Sequence, residues 1–219
     1  MLLVAAKSIR AIIADIPTVL YFVNVVLCFS IYKKLNTSLK IITAYLLVTF
    51  VVEIVSDRLS TIGVNNLYLS HVYFIEQFLL LSYFYSTLNF SKIQLLFLKI
   101  SVGVVLTILM IQYILFPKLI FQFNEIEIVL CNFPLIIFSL FHYYNSIGEK
   151  TSYPFINMGV LVYLSCSTVV FCSGNLMTLL NMKVNRTIWV FNNVISILFQ
   201  VLLFVEWYRF YKKTKEVTS

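Results

Sequence analysis

Charge is scarce in this chain. Asp, Glu, Lys and Arg supply only 11% of its 219 residues, against 61% apolar side chains, and the mean hydropathy is +0.94. A soluble domain cannot hide that much apolar surface, so the solvent this sequence is built for is lipid. Glycine is rare as well: five in all leave no phosphate-binding loop and no dinucleotide fingerprint. The two histidines, His71 and His142, form no His-Glu-x-x-His pattern and fall on opposite halves of the bilayer, against a metal hydrolase. His142 has no nucleophile partner in a glycine-rich turn, against an intramembrane serine protease. No lysine lies between Thr187 and Trp207, where a retinal Schiff base would need one. An enzyme is therefore not expected, and neither a cofactor nor a metal is implied. The four cysteines, Cys28, Cys131, Cys166 and Cys172, show no metal or redox spacing and read as small buried hydrophobes.

What is present is a series of long apolar runs rich in aromatics, with twenty Phe and fourteen Tyr. A membrane-crossing helix needs about 20 apolar residues. Seven segments qualify, near 12–33, 41–58, 67–88, 93–116, 126–145, 155–179 and 187–210. Polar, turn-like pieces such as KKLNTSLK, RLSTIGVNN and NSIGEKTSYP separate them. Within a bilayer each backbone amide must be satisfied inside its own segment, and no two-residue alternation suggests barrel strands. The expected fold is all-α, one polytopic membrane domain of seven transmembrane helices over residues 1–219. The first residues, MLLVAAKSIRAIIADIPT, lack the basic, apolar and small order of a signal peptide and read as the opening turns of span one.

The formal charge of +7 is placed at the ends of the apolar runs, which is topology information and not a nucleic-acid footprint. With the N-terminus outside, the inner face holds Lys33, Lys34, Lys40, Lys92, Lys99, Lys150, Arg209, Lys212, Lys213 and Lys215. The outer face holds Lys7, Arg10, Arg58, Lys118, Lys183 and Arg186. The excess inside favours N-out, C-in, expected in a bacterial inner (cytoplasmic) membrane.

Spans one and five share Phe-Ser-apolar-aromatic at residues 29–32 and 138–141. Spans three and seven both end in aromatic pairs, and aligning them sets Glu76 over Gln200. The chain then divides into parallel repeats 12–88 and 126–210 with 93–116 as an unpaired linker. This 3+1+3 layout resembles that of the SWEET sugar carriers, although their Pro-Gln signature is absent here. The resemblance implies a small-solute carrier.

Polar residues recur at helical spacing on single faces: Thr49, Glu53, Ser56 and Asp57; Tyr73, Glu76 and Tyr83; Ser165, Thr168, Cys172 and Asn175; Asn193, Ser196, Gln200 and Trp207. Lipid cannot solvate these stripes, so they turn inward. The span-six stripe and Asn132 read as helix-to-helix hydrogen bonds. Trp207, Tyr208 and Arg209 read as an interfacial belt. Glu53 and Glu76 are the costly ones, because an acid at mid-membrane costs roughly 2.5–3.5 kcal/mol. Neither has a Lys or Arg at matching depth in another span.

At about 1.5 Å per residue, Glu76 and Gln200 fall near the midplane. Glu53 and Asn193 lie further out, and Asp57, His71 and Asn175 beyond them. The expectation is an outward-facing polar funnel lined by Glu53, Glu76, Gln200, Asn193, Asp57, Tyr73, Asn175 and His71, with Glu76 bonded to Glu53 and Gln200 at its floor. Such a funnel suits a carrier of a small polar or cationic solute, proton-coupled through Glu53 or Glu76. The alternative is a ligand-sensing receptor or membrane subunit acting through a separate partner protein. The expected partners are the lipid bilayer, a small-molecule ligand, and either a protein partner or further copies of the chain, with no nucleic acid.

Overall fold

The computed structural model describes residues 2–147, 152–172 and 182–218, with side chains described for 16–147, 152–172 and 187–216. Among the described residues there is no strand. Among these residues seven α-helices follow one another: α1 (Leu2–Ser30), α2 (Thr37–Thr61), α3 (Tyr68–Ser86), α4 (Lys92–Leu115), α5 (Glu125–Asn145), α6 (Pro154–Cys172) and α7 (Met182–Thr218). Short 3-10 turns at Tyr32–Lys34 and Pro117–Phe121 join α1 to α2 and α4 to α5. Within α2, α4, α5, α6 and the Thr187–Glu216 part of α7, the helix is long and apolar enough to cross a membrane. The apolar part of α1 among described residues is the shorter Ile16–Ser30. α3, diluted by four tyrosines, His71, Glu76 and Gln77, is not among these five.

The helix starts follow from their sequences. Asn36 caps α2 by accepting from the Leu39 amide at 3.1 Å. Ser91 and Gln94 form a reciprocal capping box on α4. α6 opens on Pro154, whose missing amide costs nothing in a first turn, and the next amide, of Phe155, donates to Glu206 Oε2 at 2.9 Å. The last boundary differs most from expectation. α7 runs through the basic tail to Thr218 instead of ending near residue 210, because no glycine or proline interrupts the chain after Met182.

Packing is sequential and closed. α1, α2, α3, α5, α6 and α7 each pack on the next, and α7 returns to α1, so the six form a ring. α4 lies outside it against α3 and α5. Its buried side chains are Leu98, Val105 and Leu109, while Ile93, Leu96, Ile100 and Ile108 stay exposed as a lipid-facing surface requires. The helix expected as an unpaired linker is thus the peripheral one. The aligned pair Glu76 and Gln200 does not behave equivalently, however. Glu76 turns to α2, whereas Gln200 turns to α1, which a two-fold repeat would not pair in that way.

Polar side chains tie the ring together. Asn24 Nδ2 donates to Gln200 Oε1 at 2.8 Å, linking α1 to α7. Gln77 donates to Asn132 at 3.0 Å and Asn132 to Thr168 at 2.9 Å, linking α3, α5 and α6. Tyr85 and Ser139 both donate to Asn157 Oδ1, at 2.8 and 2.9 Å. Bonds of this kind contribute about 0.6 kcal/mol each on average.

α6 and α7 approach closely at Gly159. A Cβ built there would lie 2.6 Å from Phe199 Cδ2. Phe199 is buried and stacked on Tyr163, with ring centroids 5.1 Å apart and planes 10° from parallel. Gly159→Val should therefore force the ring off its stack and destabilise the bundle by about 1–3 kcal/mol, the usual range for overpacking. Unfolding in detergent micelles measures this, and an unchanged midpoint would mean that α6 and α7 can part without cost.

Candidate binding cavity

A cavity of about 630 Å³ opens at the end of the ring where α2 and α6 finish and α3 and α7 begin. Residues 53, 56, 57 and 60 recur every three or four positions on α2, so Glu53, Ser56, Asp57 and Ser60 share one face and make a polar wall. Thr18 of α1 donates to Glu53 Oε2 at 3.4 Å, a long bond that leaves most of the carboxylate's accepting capacity unused. Beside Thr18 stands Pro17, whose missing amide removes one bond from the α1 ladder. Asn66 donates to Ser56, at 2.8 Å to Oγ and 3.0 Å to the carbonyl, and ties the α2–α3 connection to this wall.

The other side is aromatic. Tyr73 meets Phe74 edge-on at 5.2 Å, Phe74 meets Phe171 at 5.3 Å, and Phe171 meets both Phe123 and Trp189, at 6.2 and 6.0 Å. All line the cavity. Asn192, Asn193 and Ser196 of α7 complete it. The side-chain oxygen of Asn192 is buried and has no hydrogen-bond partner. Among the described lining residues there are two carboxylates and no Lys, Arg or His.

Tyr73 and Tyr163 line the cavity and join their hydroxyls at 2.6 Å across the ring, from α3 and α6. Glu76 does not line the cavity. Its Oε1 accepts from Thr49 at 2.7 Å, and its Oε2 is buried without a partner. Thr49 lies one helical turn from Glu53, so the two carboxylates occupy successive levels, with Glu76 the deeper.

Four of the expected site residues, Glu53, Asp57, Tyr73 and Asn193, therefore meet in one cavity. Glu76 lies beneath it, but its partner is Thr49 and not Glu53 or Gln200. Gln200 is fully buried and spent on Asn24, its own amide nitrogen remaining without a partner. Asn175 lies outside the described residues. His71 points away: Nδ1 meets Glu127 Oε2 and Nε2 faces the Ile120 carbonyl at 3.1 Å. Tyr113 donates to the same Glu127 oxygen at 2.7 Å, and Asn124 Nδ2 donates to the Tyr113 hydroxyl at 3.2 Å. Glu127, fully buried, has no counterpart among the expected site residues.

No protein-family model, curated protein or solved structure matches the chain.

Proposed function

We propose that the chain is a seven-helix integral membrane protein whose cavity binds a small polar or cationic solute and that it acts as a carrier. The observation that supports this best is the sign of the cavity: Glu53 and Asp57 on its wall, Glu76 below, and no described basic side chain among them. Acids held in a membrane helix without a cation beside them are costly, and a cationic ligand would offset that cost. Under N-out topology the cavity faces the exterior. The Tyr73–Tyr163 bridge then separates the open cavity from Glu76, and a solute passing inward would need those two hydroxyls to part. Glu53 would hold the solute above the bridge, and Glu76 would receive it below.

The test is current in proteoliposomes. Concentration jumps of organic ammonium ions and of Na⁺ should drive charge across wild-type protein for at least one of them, and Glu53→Gln should remove that current. Binding without any current would favour a second reading, a sensor. The feature that favours it is α7, whose 37 residues span about 55 Å at helical rise, well beyond a bilayer core of about 30 Å. Its cavity-lining Asn192 and Asn193 and its basic end thus belong to one continuous helix, able to carry a displacement to a partner.

Orientation is tested by single cysteines on a background lacking the native four. Asn65 and Thr37 are both exposed and lie at opposite ends of α2. A cysteine at Asn65 should react with an impermeant maleimide in intact cells, and one at Thr37 should react after permeabilisation alone. The reverse pattern would turn the cavity inward.

A further inference from the structure

Resting on the cationic reading of this cavity, we propose that its ligand is a primary organic ammonium with an aromatic or similarly flat apolar body, not an inorganic cation. The two walls differ in chemistry. An inorganic cation is held by converging oxygens, six or more for calcium and near-octahedral for magnesium. Among the described residues no group of three or more His, Cys, Asp or Glu converges to hold a metal ion. The wall away from α2 offers ring faces and edges instead, from Phe74, Phe171 and Trp189. A volume of about 630 Å³ suits a ligand of many heavy atoms and is far larger than a bare ion needs.

The polar groups specify an N–H donor. Glu53 and Asp57 are acceptors without a donor of their own to offer when ionised, and both line the cavity. Glu53 keeps accepting capacity beyond its single long bond from Thr18. A primary ammonium brings three N–H donors for the Glu53 and Asp57 carboxylates, whereas a quaternary ammonium brings none. With the ammonium at the α2 wall, the ligand's body would lie against Phe171 and Trp189, where ring packing and cation–π attraction both contribute.

The probes are phenethylammonium, the neutral 2-phenylethanol of similar shape, and Na⁺, titrated calorimetrically into the full chain in nanodiscs. Phenethylammonium should bind, 2-phenylethanol should bind at least tenfold more weakly or not at all, and a hundredfold excess of Na⁺ should not displace the amine. Trp189→Leu should weaken the amine by about tenfold, and Glu53→Gln by more. If Na⁺ binds and displaces the amine while Trp189→Leu has no effect, the organic-ammonium inference is wrong and the cationic cavity stands. Binding of Na⁺ without any binding of phenethylammonium would overturn the organic-ammonium inference in the same way. If 2-phenylethanol binds as well as the amine, if Glu53→Gln changes nothing, or if neither cation binds, the cationic reading itself fails. The wild-type comparison of amine with alcohol needs no variant and so does not depend on any variant folding.

Discussion

Glu76→Gln should yield a folded protein that still binds its cation in the outer cavity, within about tenfold of wild type, but has lost transport by at least a hundredfold. Glutamine keeps the volume and keeps a carbonyl for the Thr49 hydroxyl, which now sits 2.7 Å from Oε1. What it removes is the capacity to carry a charge facing a bound cation, at the buried Oε2 that no protein group satisfies. A carboxylate attracts a cation at about 4 Å with roughly 4 kcal/mol at the effective dielectric of a partly wet site. That corresponds to about a thousandfold, and even a strong discount for screening leaves two orders of magnitude. Binding above the Tyr73–Tyr163 bridge uses Glu53 and so changes little. Glu76→Leu separates this from a structural role: Thr49 can return its hydroxyl to its own helix, and a merely structural glutamate would be replaceable with activity intact. Wild-type transport in Glu76→Gln would end the claim that this residue handles the solute.

The paired behaviour of Glu53 and Glu76 shows what the sequence makes legible. Thr49, Glu53, Ser56 and Asp57 recur at helical spacing in a span that lipid would otherwise surround, so their shared inward face follows from periodicity. The apolar runs likewise announce helices, because no other backbone satisfies itself in lipid. Partner choice is a different matter. Nothing in the spacing says that Glu76 will find Thr49, 27 positions earlier, or that Gln200 will find Asn24, 176 positions away. Those pairings depend on how far each helix rotates and slides in the closed ring.

The aromatic wall is illegible in the sequence for another reason. Phe171 and Trp189 resemble the many rings that face lipid or headgroups, and only the packing of α6 on α7 turns these two onto a cavity. Asn192 and Asn193 are neighbours about 100° apart around the helix. The polar stripe on α7 predicts Asn193, and the structure adds Asn192 to the same cavity. Glu127 is hidden by position: in FQFNEIEIV it sits in the first turn of α5, where an acid normally complements the helix dipole in water. Its burial comes from α3 and α4 folding over that turn.

Removing that carboxylate should be the most destabilising single change in the described structure. Glu127 is fully buried and its carboxylate gathers His71 and Tyr113, while Asn124 at the start of the same helix donates to the Tyr113 hydroxyl. The cluster joins α3, α4, α5 and, through the Ile120 carbonyl, the 3-10 turn between α4 and α5. α4 has few other buried contacts, so the cluster is a large share of what docks it on the ring. Glu127→Ala leaves buried His71 with only the half-buried Tyr113 hydroxyl, 2.8 Å from its Nδ1, in place of the carboxylate, and breaking such a buried pair costs about 3–5 kcal/mol. Glu127→Gln, which keeps an acceptor, should cost markedly less. Unfolding of Glu127→Ala, His71→Ala and the double variant in micelles decides the matter: the double variant should lose clearly less than the sum, since either single change already removes the bond between the two. Because Phe123 lines the cavity four residues before Glu127, Glu127→Ala should also weaken amine binding, by less than tenfold. Additive losses, or a Glu127→Ala protein within about 0.5 kcal/mol of wild type, would mean that α4 is held by lipid-facing packing alone and that the buried acid does not fasten it.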